Sequence, residues 1–170
     1  MCAQSEANDV IGGLFCEYRS AIFAYIWRLV DNREWAEDLT QETFVRLFEA
    51  RRRLPDVVNQ RAWLYRIATN TTCNALRRRR RFAWLPWQAA RAWLSGEGAA
   101  IDEIGQRSAV EAALAALPVA YRAPLLMHSH DDLTINEIAE ALEISASAVK
   151  MRIYRAKEMF RRAYERENRQ

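Results

Sequence analysis

The side chains equipped for recognition chemistry fall into two groups. Residues 147–155 read SAVKMRIYR; as a helix they set Ser147, Lys150, Met151, Tyr154 and Arg155 outward, with Arg152 near the same surface. Lysine and arginine donors suit guanine acceptors or phosphate oxygens, and the apolar parts of Met151 and Tyr154 suit thymine methyls. The second group lies in residues 61–81, RAWLYRIATNTTCNALRRRRR, where Asn70 and Asn74 stand four apart on one helical face with Arg66, Arg77 and Arg78 close to it. Amide side chains read the edges of unpaired bases, aromatic rings stack on them and arginines hold the backbone. Such a set suits separated strands better than intact duplex. Trp63 serves equally well as a core residue or as a stacking face.

Neither group pairs a nucleophile with a base, so no catalytic residue and no enzyme activity are expected. Asp31, Glu34, Glu37 and Asp38 offer carboxylates to a metal-dependent nuclease, but they crowd one segment with no matching ligand elsewhere. His128 and His130 are separated by one residue, do not share a helical face, and read as a ligand-free loop. No metal and no cofactor are expected.

These side chains need helices to hold them. Leu14, Tyr18, Ile22, Tyr25 and Leu29 recur at spacings of three and four, predicting a helix from about Gly13 to Val30. Asp31-Asn32 interrupts it and can cap a second helix running to about Ala50, with Trp35, Leu39, Leu47 and Phe48 as candidate core residues. Pro55 breaks the pattern, and a third helix is predicted over residues 61–80, with Leu64, Ile67, Ala68 and Thr71 on or beside its buried face. Val110, Leu114 and Leu117 mark a short helix ended by Pro118, and another is predicted from about Tyr121 to His128. Thr134 with Glu137 forms a capping box, and Ser145 is a good N-cap for the helix that carries Lys150 and Arg155. Two helices joined by a short turn, the second basic, form a helix-turn-helix that presents a recognition helix to the major groove. Glu143 occupies the turn where glycine is frequent.

The fold class read from this pattern is all-α, as two small helical domains: residues 1–81 and 109–170, joined by a linker over 82–108. That linker carries Trp84, Trp87 and Trp93 and shows no sustained period. Charge follows the same division. The net value of +3 conceals −5 over residues 1–50, +9 over 51–82, −5 over 109–143 and +5 over 144–170. Each basic block can neutralise phosphates, while an acidic helix in such a protein should face protein. With three scattered cysteines and no CxxC pair, neither a disulfide framework nor a zinc site is expected. No stretch reaches the roughly 20 apolar residues of a membrane span, and the N-terminus lacks a signal-peptide pattern, so a cytoplasmic protein without membrane insertion is expected.

The pairing of EDLTQETFVRLFEA with RAWLYRIATNTTCNALRRRRR, followed by LPVAYRAPLLM and LTINEIAEALEISASAVKMRIYRAKE, resembles the extracytoplasmic-function sigma factors. The resemblance covers about residues 10–81 and 109–165. It implies a region 2 helical bundle and a region 4 helix-turn-helix. Asp38, Gln41, Glu42 and Phe44 match the surface that docks on core RNA polymerase. Arg66, Asn70, Asn74, Arg77 and Arg78 fall where the family binds the minus-ten element, the asparagines helping to capture a base flipped from the melted non-template strand and residues 51–60 completing that pocket. Residues 150–155 match the helix that reads duplex DNA at the minus-thirty-five element. An anti-sigma factor is implied as a further partner. The alternative, a stand-alone helix-turn-helix regulator, explains residues 109–170 and leaves the acidic helix and the asparagine-bearing helix idle.

Overall fold

The structure is a computed structural model that describes residues 2–82 and 108–168. The predicted linker, with Trp84, Trp87 and Trp93, lies outside the described residues. Three helices form the N-terminal lobe: α1 (Cys2–Val30), α2 (Arg33–Glu49) and α3 (Gln60–Phe82), with a 3-10 segment over Arg51–Asp56. Four form the C-terminal lobe: α4 (Ala109–Ala115), α5 (Val119–Ser129), α6 (Ile135–Leu142) and α7 (Ala146–Glu167).

The predicted stripe of α1 is its buried face, with Ile22, Tyr25, Ile26 and Leu29 fully or nearly fully enclosed. The helix extends further back than predicted, through Gly12 and Gly13, because Ile11 packs into the core one turn before Leu14. Chain reversal comes at Asp31, in left-handed geometry at φ 55°. Asn32 Oδ1 then accepts the Trp35 backbone N–H at 2.7 Å and starts α2 as expected. On α2 the buried side chains are Ala36, Leu39, Thr40, Thr43, Phe44 and Leu47. Phe48, a predicted core residue, is instead 44% exposed and lies under the Arg51 guanidinium, while Trp35 is only partly buried. Both sit at the edge of the apolar stripe, where one helical step decides burial.

In the C-terminal lobe the capping box closes reciprocally: the Glu137 N–H donates to Thr134 Oγ1, and the Thr134 N–H to Glu137 Oε2. Ser145 Oγ accepts the Ala148 N–H at 3.2 Å and starts α7. Between them Glu143 adopts φ 53° and ψ 43°, the left-handed cap that glycine usually supplies, and the Ile144 N–H reaches back to the Ala139 carbonyl. The turn geometry is thus retained by a residue with a side chain. His128 lies in the last turn of α5 rather than in a loop, its Nδ1 3.2 Å from the Leu133 carbonyl oxygen.

The lobes pack on one another. α6 packs on α3, and α4 and α5 on α1, so the buried side chains of both lobes join one hydrophobic cluster. Arg122 pins this arrangement from inside α5. Its guanidinium donates to the carbonyls of Ala115 and Leu117 in its own lobe, and to those of Arg28 and Leu29 at the end of α1. Burial pulls its pKa down, with Asp31 opposing.

Candidate nucleic-acid interface

The polar run on α3 divides by face. Thr69, Thr71 and Thr72 point inward and are buried. Thr69 bonds the Tyr25 hydroxyl at 2.8 Å and donates to the Tyr65 carbonyl, and Thr72 donates to the Ala68 carbonyl. Burial drives the Tyr25 phenol far above its ordinary pKa, so this inner network stays protonated. The threonines fix the helix rotation, and that rotation leaves Asn70, Asn74, Arg77, Arg78 and Arg79 exposed on the outside. Arg79 stacks over Trp35 at 5.0 Å, tying the end of α3 to α2. Of the two readings of Trp63 the core one holds: its ring is 6% exposed and Tyr65 is enclosed beside it, so neither offers a stacking face in this arrangement.

On α7, Val149, Ile153 and Ala156 are buried, which turns the other side of the helix to solvent. Ser147, Lys150 and Arg155 are exposed, with Met151 52% and Tyr154 65% exposed and Arg152 half-buried. Large apolar groups left open beside cations are what base-edge contact requires.

The third predicted surface lies on α2. Asp38 and Gln41 are exposed, and Glu42 is held by the Arg46 guanidinium at 2.6 Å. Phe44 is 7% exposed and meets the Phe15 ring edge-on at 4.9 Å, so it floors the surface rather than projecting from it. A groove of about 520 Å³ runs between α1 and α2, lined by Phe15, Phe23, Arg33, Glu37, Gln41 and Phe44. Val45 and Phe48 add exposed apolar area on α2. Among the described residues no three His, Cys, Asp or Glu side chains form a group able to hold a metal ion, and Glu37 instead pairs with Arg33.

The polar contacts at the seam between the lobes escaped sequence reasoning. The Arg66 guanidinium lies 3.2 Å from Glu143 Oε1. Arg61 donates to the Asp131 carbonyl. Asn59 accepts the Ala62 N–H at the start of α3 and donates to Glu137 Oε1 at 3.4 Å. One signal was present: Arg122 is the sole cation in an otherwise acidic stretch over residues 109–143. A lone cation in such company is an unusual choice for a solvated face.

Comparison with known proteins agrees with this architecture. Residues 14–82 match the family model of Sigma-70 region 2, and residues 107–160 that of Sigma-70, region 4. The ECF RNA polymerase sigma factor SigW of Bacillus subtilis is 28% identical, over 91% of this chain and 89% of its own length. The ECF RNA polymerase sigma factor SigE of Mycolicibacterium smegmatis is 30% identical, over 85% of this chain and 58% of its own. Among solved structures, the sigma factor RpoE of Bartonella quintana in complex with the anti-sigma factor NepR superposes with a TM-score of 0.66 at 20% identity, over 92% of this chain and 97% of that one. CnrH in complex with the cytosolic domain of CnrY gives 0.63 at 22% identity, over 96% of each chain. The fold and the two matched regions define a two-region initiation factor of the sigma-70 class. Within that class, the chain belongs to the extracytoplasmic-function (ECF) sigma factors.

Proposed function

We propose that this chain binds core RNA polymerase, directs it to specific promoters and assists strand opening, performing no covalent chemistry itself. The observation that carries this reading is the pair of solvent-facing cationic helix faces, one on α3 bearing Asn70 and Asn74, the other on α7 within a helix-turn-helix. Residues 1–81 serve as the polymerase- and minus-ten-binding part, 109–170 as the minus-thirty-five-binding part, with 82–108 between. Asp38, Gln41, Glu42 and Phe44 dock on polymerase. Arg66, Asn70, Asn74, Arg77 and Arg78 meet the separated strand, and Ser147, Lys150, Met151, Arg152, Tyr154 and Arg155 meet the duplex. An anti-sigma protein is a fitting regulator, since one structural neighbour is a sigma factor in complex with an anti-sigma factor. The factor works where the polymerase works, in the cytoplasm; no described helix is long and apolar enough to cross a membrane. A stand-alone regulator would use only α6 and α7 and leave the α3 face without a role.

Purified core polymerase tests the proposal. With this chain it should give promoter-specific transcripts from genomic DNA, and without it none. Extracting a base from the stack costs a few kcal/mol. Asn70→Ala combined with Asn74→Ala should therefore cut permanganate reactivity of the melted region by roughly tenfold while leaving polymerase binding intact. Normal reactivity in that double variant removes the asparagines from strand capture.

A further inference from the structure

Arg66, Asn70, Asn74 and Arg77 succeed one another along one side of α3, and the first of them is already engaged. Its partner, Glu143, belongs to the turn of the chain's own helix-turn-helix. One turn earlier, Arg61 is held by the Asp131 carbonyl, and just before the helix Asn59 donates to Glu137. The C-terminal lobe thus covers the amino end of the stripe, while Asn70, Asn74, Arg77 and Arg78 stay open and the outward face of α7 is uncovered. Opposite charges meet where it settles: Arg66 pairs with Glu143, and Asp131 and Glu137 lie in the field of Arg61.

Resting on the reading of α3 as a strand-binding face, we propose that the chain masks itself: its acidic α6 and the following turn occupy the amino end of the α3 stripe in place of a DNA strand, and the C-terminal lobe must swing off before a strand can follow the stripe toward residues 51–60. The seam is built to part. Arg61 Nε and Asp131 Oδ2 are buried there without hydrogen-bond partners, and water would satisfy both on opening. The Arg66–Glu143 pair is itself substantially exposed, so it guides the docking more than it welds it. Apparent affinity for a strand is lowered by the fraction of molecules that are closed, so variants that open the seam gain affinity without touching the stripe.

The full-length chain, free of polymerase, is compared as wild type, Glu143→Arg, Glu143→Gly and Glu165→Arg. The last adds the same charge as the first, near the C-terminal end of α7. Glycine suits the left-handed backbone at position 143 and removes the carboxylate without adding a cation. Small-angle scattering reads compaction, and fluorescence anisotropy reads binding to a labelled mixed-sequence single-stranded DNA oligonucleotide. Glu143→Arg should show a larger radius of gyration and bind roughly three- to tenfold tighter than Glu165→Arg, with Glu143→Gly changing in the same direction relative to wild type. Equal size and equal affinity in the two arginine variants, with wild type driving promoter-specific transcription normally, overturn the mask alone. Failure of wild type to support transcription with core polymerase overturns the reading beneath it.

Discussion

Asp131 sits where the last residues of α5 meet α3, with Tyr65, Arg61, Arg28 and His130 as its titratable neighbours. Burial pushes its carboxyl up to about 6, and those neighbours only partly pull it back. The sign follows from linkage. The folded protein holds this proton more tightly than the unfolded chain, so stability falls as pH rises from about 4 to about 6, and the penalty is complete above that. Asp131→Asn, neutral at every pH, should therefore stabilise the protein near pH 7.5, by on the order of 1 kcal/mol after solvent screening, and give no advantage near pH 4. Thermal melts at both values check this; an unchanged or lower midpoint at pH 7.5 contradicts it. At this scale the sequence was informative where spacing alone decides orientation. Asn70 and Asn74 share an outward face because they are four apart. The contacts of Asp131 and Arg61 were invisible, since they depend on which distant surface arrives beside them.

Helices were legible wherever a local signal marked them. Asn32, Thr134 and Ser145 cap as expected because the bonds they make lie within three residues. The N-cap and spacing of α7 made its outward side chains legible in the same way. Lys150→Ala or Arg155→Ala should weaken binding to minus-thirty-five duplex by about 1–3 kcal/mol if a base is contacted, read by anisotropy on a duplex fragment at fixed salt. Unchanged affinity in both removes α7 from the reading of that element. Less was legible where signals compete. Pro55 breaks the helical pattern, yet a 3-10 turn spans Arg51–Asp56, because proline suits the φ of such turns. Phe44 matched a docking motif by type, but its burial comes from Phe15 on another helix, which no motif contains.

The whole molecule departs furthest from what the chain suggested. Two helical units joined by an aperiodic stretch are what the sequence suggests, and it carries no sign that they share one core and a seam in which opposite charges meet. Long-range pairing of that kind leaves no period in the sequence. Arg122 is its clearest expression, and removing it should be felt throughout. Arg122→Met strands carbonyls at the ends of α1 and α4 and should cost about 3 kcal/mol, seen as a lower urea midpoint with little change in slope. A loss under about 1 kcal/mol would mean that water replaces the guanidinium freely. The distribution of its bonds has a mechanical consequence. Three of the five go to Ala115 and Leu117 and travel with α5; only the two to Arg28 and Leu29 cross the divide. A detaching lobe therefore keeps its own bracing and surrenders a minority of contacts, at a helix end that solvent can serve. At this residue the joint rests on little: the bracing of the C-terminal lobe lies within that lobe, and what crosses to α1 is two bonds.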